Sequence, residues 1–115
     1  PWISVNKNYI QINAKAALED KDSVFYYYQK LIRLRHQYEV IVEGVFHGLL
    51  EDNDDIYAYE RTLGTEKLVV ACNFTNKVVP CELFEGNEGE ELITNYKNHV
   101  EGALQPYETR VILYK

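Results

Sequence analysis

The sequence predicts a mainly β fold, an antiparallel sandwich or barrel, preceded by one long α-helix. Residues 23–38 space their apolar side chains at the helical i, i+3, i+4, i+7 period. After Gly44 the chain breaks into short β-rich runs separated by turn residues every eight to twelve positions or so, the pattern of an all-β domain. The 115 residues, 46% hydrophobic and 13% aromatic, are enough for one packed core.

Residues 1–13, PWISVNKNYIQIN, follow neither the helical nor the strand period and are expected to form an irregular, packed loop. Ala14–Glu19 can make a short helical turn. Asp20, Asp22 and Ser23 then supply capping oxygens and negative charge for a helix start. In that helix Val24, Phe25, Tyr28, Leu31, Ile32 and Arg35 keep the period, and Tyr27, Leu34 and Tyr38 widen the stripe. A helix apolar over so much of its circumference packs on two partners. The expected strands are 45–50, 56–62, 67–74, 78–84, 91–96 and 108–114, with Ile56, Ala58, Val111 and Leu113 giving the clearest alternation.

A net charge of -6 and a pI near 5.0 argue against phosphate backbones and anionic lipid as partners, so neither nucleic acid nor a membrane surface is expected. No apolar run approaches the ~20 residues of a bilayer span. The first residue is Pro1 rather than Met, which points to a longer parent chain. Two cysteines in a chain with an adequate core favour a reducing cytoplasm.

The acidic cluster Glu51, Asp52, Asp54, Asp55 fails as an EF-hand loop, because the sixth position from Asp52 is Tyr57 and not glycine; a solvated turn is expected. His36, His47 and His99 lie far apart, and neither cysteine has a partner at zinc-ligand spacing. If 67–74 and 78–84 form a hairpin turning at Thr75 and Asn76, Cys72 faces Val79 and sits diagonally from Cys81 at roughly 7 Å, too far for a disulfide. Both cysteines are then small apolar strand residues. Asn73-Phe74-Thr75 matches the N-glycosylation pattern. Lys30, Arg33, Arg35 and His36 suit the negative end of the helix dipole. Trp2, ten tyrosines and four phenylalanines could stack on sugars, but at these periods they read as core. No nucleophile with a base and no phosphate loop is found, so no residue is assigned a catalytic, cofactor-binding or metal-ligating role.

Four tracts carry a resemblance: PWISVNKNYIQINA, DKDSVFYYYQKLIRLRHQY, DIYAYERTLGTEKLVVACNFT and the ending LQPYETRVILYK. Together they closely resemble the C-terminal region of the α-amylase family of glycoside hydrolases, in particular its oligo-1,6-glucosidases and trehalose-6-phosphate hydrolases. The resemblance implies an antiparallel Greek-key β sandwich over residues 45–115. Residues 1–44 would be the end of a catalytic (β/α)8 barrel, with 23–38 as its last helix. It implies a retaining α-glucosidase whose aspartate nucleophile and glutamate acid/base lie upstream, so that this stretch cleaves nothing. Its expected partner is the barrel of its own parent chain, on which the β domain packs; a sugar-binding or self-association module is the alternative. Taken alone, the chain is expected to cover its helix stripe by homodimerisation, with fold-back of Trp2, Ile3, Tyr9 and Ile12 as the competitor.

Overall fold

The structure, a computed structural model, describes residues 4–84, 86 and 88–115. It divides into two compact units, Pro1–Arg33 and Leu34–Lys115.

In the first unit, asparagines organise the local structure. Asn6 accepts the amide of Asn8 at 3.1 Å and starts a 3-10 turn over Lys7–Ile10. Asn13 does two tasks: its amide group donates to the Tyr9 carbonyl at 2.9 Å, and its oxygen caps helix α1 (Ala14–Glu19) by accepting from Ala16 at 2.8 Å. The long helix α2 runs Val24–Gln37, within one residue of the expected span at each end. Its start differs from expectation: the Asp20 carboxylate accepts from the Asp22 amide at 2.9 Å, in the turn before the helix. The Ser23 carbonyl accepts from Tyr27, but the Ser23 hydroxyl donates back to the Ala17 carbonyl at 2.7 Å instead of capping. The Tyr26 hydroxyl adds a second tie, to Leu18, at 2.6 Å. The expectation of a packed N-terminal loop is not met in residues 4–13, where Val5, Tyr9, Ile10 and Ile12 are all exposed; Trp2 and Ile3 lie outside the described residues.

The second unit begins on the buried Leu34. At Tyr38 the backbone turns extended, and a second short helix, α3 (Glu39–Glu43), follows in a stretch to which the sequence pattern assigns no element. Its β-branched Val40, Ile41 and Val42 are poor helix formers, but Val40 is completely buried, so packing decides the conformation.

Seven strands follow: β1 Val45–Leu49, β2 Ile56–Leu63, β3 Glu66–Asn73, β4 Val79–Pro80, β5 Glu90–Thr94, β6 Ala103–Leu104 and β7 Thr109–Tyr114. Five form an antiparallel sheet in the order β1-β2-β3-β7-β5, and β4 pairs with β6 in a second, two-stranded sheet. The β2–β3 hairpin turns on two residues, the first being Gly64 at φ +61, a conformation an L side chain resists. From β3 the chain visits the small sheet, returns as the edge strand β5, visits the small sheet again, and ends inserted as β7 between β3 and β5. This is the Greek-key sandwich the resemblance implied. Its inter-sheet core joins Ile56, Ala58 and Ala71 of the large sheet to Val79 and Leu104 of the small one and to Cys81 just after β4. Strand β3 is covered on both faces, with Leu68, Val69, Val70 and Ala71 all buried in succession.

The expected strand 78–84 shrinks to two residues, and β6 arises inside a stretch read as a turn. The hairpin between 67–74 and 78–84 does not form, because β3 already has β2 and β7 as partners. Pro80 lacks the N–H a longer ladder would need. Both thiols are free, for a reason other than the one the hairpin gave. Cys81 lies in the inter-sheet core with Ala71, and strand alternation turns the neighbouring Cys72 to the opposite face.

Candidate functional site

Two clusters in the second unit stand out. The first is polar and centres on His99, in the loop between β5 and β6. Its Nε2 lies 2.8 Å from Glu91 Oε1, and its Nδ1 makes a short hydrogen bond to Glu108 Oε2. Glu108 is completely buried, and its other oxygen accepts from the Gln105 amide at 2.7 Å. Glu91, on β5, accepts a second bond from Arg110 Nε at 2.7 Å, and the Arg110 guanidinium lies over the Phe84 ring at 5.0 Å. Burial works to raise Glu91, but hydrogen bonds and positive charge from Arg110 and His99 outweigh it and hold the carboxyl below its ordinary value.

This cluster borders a cavity of about 740 Å³ that Cys81 and Phe84 also line. A thiol, a histidine and a buried glutamate invite comparison with a nucleophile–base–orienter triad. The geometry does not support one. Both ring nitrogens of His99 are engaged by carboxylates, Nδ1 by Glu108 and Nε2 by Glu91, and neither is paired with the thiol. Burial pushes the Cys81 thiol up, away from thiolate. The cluster's contacts join β5, the loop carrying His99, and the segment of Glu108 and Arg110 at the start of β7. Sequence reasoning treated His99 only as a potential metal ligand, because its partners stand eight and nine residues away on either side, in no recurring motif.

The other residues singled out from sequence fall into structural places. Asn73, of the glycosylation pattern, is 2% exposed. Its amide group donates to the carbonyls of Lys77 at 2.8 Å and Gln105 at 2.9 Å, and its oxygen accepts from the Thr75 amide and hydroxyl. It is therefore a buried junction, where a glycan acceptor must be on the surface. The acidic cluster occupies the β1–β2 turn around Asn53, whose oxygen accepts from the amides of Asp55 and Ile56. His36 ends α2 and His47 lies exposed on β1, so the three histidines stay apart. Among the described residues no three His, Cys, Asp or Glu are grouped to hold a metal ion. No described helix is long and apolar enough to cross a membrane.

The second cluster is aromatic. Register and alternation put Phe46, Tyr57, Tyr59, Arg61 and Cys72 on the sheet face that turns away from the small sheet. Phe46 and Tyr59 have ring centroids 5.2 Å apart, Tyr59 and Tyr57 5.8 Å, and Tyr57 and Phe74 6.4 Å, forming one continuous row. Phe46 is 50%, Tyr57 51% and Phe74 66% exposed. Tyr59 is more enclosed, and burial pushes its hydroxyl up against the opposing pull of Arg61. The rings are tilted by 33° to 59° to one another, so no two of them offer the flat pair on which a sugar would stack.

Comparison with known proteins agrees with this architecture. Residues 46–111 match the family model of the maltogenic amylase C-terminal domain, and residues 1–44 match that of the α-amylase catalytic domain. An oligo-1,6-glucosidase of Bacillus cereus is 48% identical over 122 residues, taking in all of this chain and 22% of its own length. A trehalose-6-phosphate hydrolase of Bacillus subtilis is 42% identical, over 96% of this chain and 21% of its own. The crystal structure of Bacillus licheniformis trehalose-6-phosphate hydrolase superposes on the whole chain with a TM-score of 0.91 at 39% identity, again over 22% of that protein. The chain thus spans about a fifth of the length of these relatives.

Proposed function

Since the chain belongs to the maltogenic amylase C-terminal-domain family, we propose that it is the non-catalytic rear portion of a retaining α-glucosidase acting on short α-glucosides of the isomaltose type. The observation that carries this reading is the bare helix in the part that matches the catalytic domain. No described residue from 4 to 33 is buried, although Val24, Phe25, Tyr28, Leu31 and Ile32 present a broad apolar stripe. Each large apolar side chain left in water forgoes about 1.5–3 kcal/mol, so such a stripe belongs against the remainder of a barrel. In this reading the sandwich packs on that barrel and stabilises it, and the His99 cluster fastens the sandwich.

Two measurements test it. The chain alone should release no nitrophenol from a nitrophenyl α-glucoside, and turnover abolished by substituting one of its own carboxylates would refute the assignment. In the parent enzyme, deleting residues 45–115 should lower the temperature of inactivation while sparing the catalytic groups.

The alternative is a parent acting on trehalose 6-phosphate, since trehalose-6-phosphate hydrolases are among the relatives that match this chain over nearly its whole length. Hydrolysis of isomaltose and of trehalose 6-phosphate by the parent separates the two. For the chain alone, the same bare stripe favours a homodimer, since the described part of the competing fold-back segment, Tyr9 and Ile12, is itself exposed. Sedimentation should show concentration-dependent dimerisation that Leu31→Glu abolishes; a persistent monomer would dismiss it.

A further inference from the structure

The geometry points to the aromatic row Phe46–Tyr59–Tyr57–Phe74 as the surface through which the sandwich docks on the catalytic domain of its own polypeptide. This rests on the reading above and assigns it a face. The large sheet has two faces, and one is already covered by Val79 and Leu104 of the small sheet with the adjoining Cys81. On the other, α3 packs against β2 and β3, and Arg61 Nη1 donates to the Gly44 carbonyl at 3.0 Å where α3 hands over to β1. Helix α3, the last element matching the catalytic domain, therefore already lies on the side that bears the row. The relatives place roughly four fifths of their length outside this chain, which supplies an occupant of sufficient size on the same strand of polypeptide.

The composition of the patch fits a protein partner. It is contiguous and aromatic, and it has Glu51, Asn53 and Asp54 along the neighbouring groove, an apolar centre with a polar margin. Rings tilted to one another present a ridged apolar surface with which the side chains of a protein partner can interdigitate.

Hydroxyl-radical footprinting of the full-length parent, with rates divided by each residue's intrinsic reactivity, tests the assignment without any substitution. Val78 and Val100, 57% and 46% exposed and flanking the small sheet, are the references. Phe46, Tyr57 and Phe74 should react about tenfold more slowly than these references, corresponding to roughly 1.4 kcal/mol of closing free energy. Equal rates overturn the proposal. So does protection that disappears on dilution, which would make a second copy the occupant. Calorimetry of the same sample separates this failure from failure of the functional reading. One cooperative transition with a reactive row means docking through another face, while two independent transitions mean that the sandwich does not pack on the barrel at all.

Discussion

Residues 4–33 and 34–115 spend similar side chains on opposite ends. The first region has good local structure: Asn13 caps α1, and the hydroxyls of Ser23 and Tyr26 tie α2 back to α1. It has no buried residue among those described, and Val24 and Tyr28 are 84% and 64% exposed. The second region has short, irregular strands, two of them only two residues long, yet buries four consecutive residues of β3. Well-formed caps and hydrogen bonds thus do not make a core. Helices draw most of their stability from the face they bury, and here that face is presented and not used.

The contrast can be broken by mutation. Glu108→Ala removes a fully buried carboxylate from His99 and the Gln105 amide, and should cost about 3–5 kcal/mol in chemical denaturation of the sandwich. Leu104→Ala, at 1% exposure between the sheets, should cost about 2–4 kcal/mol. Glu91 gives a smaller, pH-dependent effect. Because its folded pKa is depressed, its contribution is complete above the unfolded value of about 4.3 and is lost as pH falls through the lower folded value. Glu91→Gln should therefore flatten the acid limb of the stability curve and leave its alkaline limb unchanged. Smallest is Val24→Ala in α2, expected to stay within about 0.5 kcal/mol for the monomeric chain. A Val24→Ala cost equal to that of Leu104→Ala would erase the distinction between the regions.

What the sequence disclosed follows the same division. Helix α2 and strands β1, β2, β3, β5 and β7 announce themselves through periodic apolar residues, and their ends fall within a few positions of expectation. The short elements do not. Strands β4 and β6 are two residues each, held by tertiary pairing of Val79 with Leu104, which no local pattern encodes. Helix α3 runs against its own β-branched residues because Val40 is buried. The thiols were read as unpaired from a hairpin that the β3–β7 pairing replaces. The His99 cluster was invisible because the side chains of Glu91, His99, Glu108 and Arg110 meet only after β5 and β7 are side by side. The aromatic row was foreseeable as composition but not as a surface, since the face of each ring depends on register.

Asn73 has a consequence for how this protein can be made. The acceptor pattern Asn73-Phe74-Thr75 is read on an extended chain, before the carbonyls of Lys77 and Gln105 have closed around the amide. In a secretory host, sugar transfer and folding compete for the same nitrogen. A chain modified first carries a bulky hydrophilic group at a site with no room for it and cannot seat β3 against the loop before β7. Expression through such a pathway should divide the product into an unmodified folded pool and a glycosylated pool retained by quality control, and Thr75→Val should abolish the second pool while weakening the first by loss of the hydroxyl bond to Asn73.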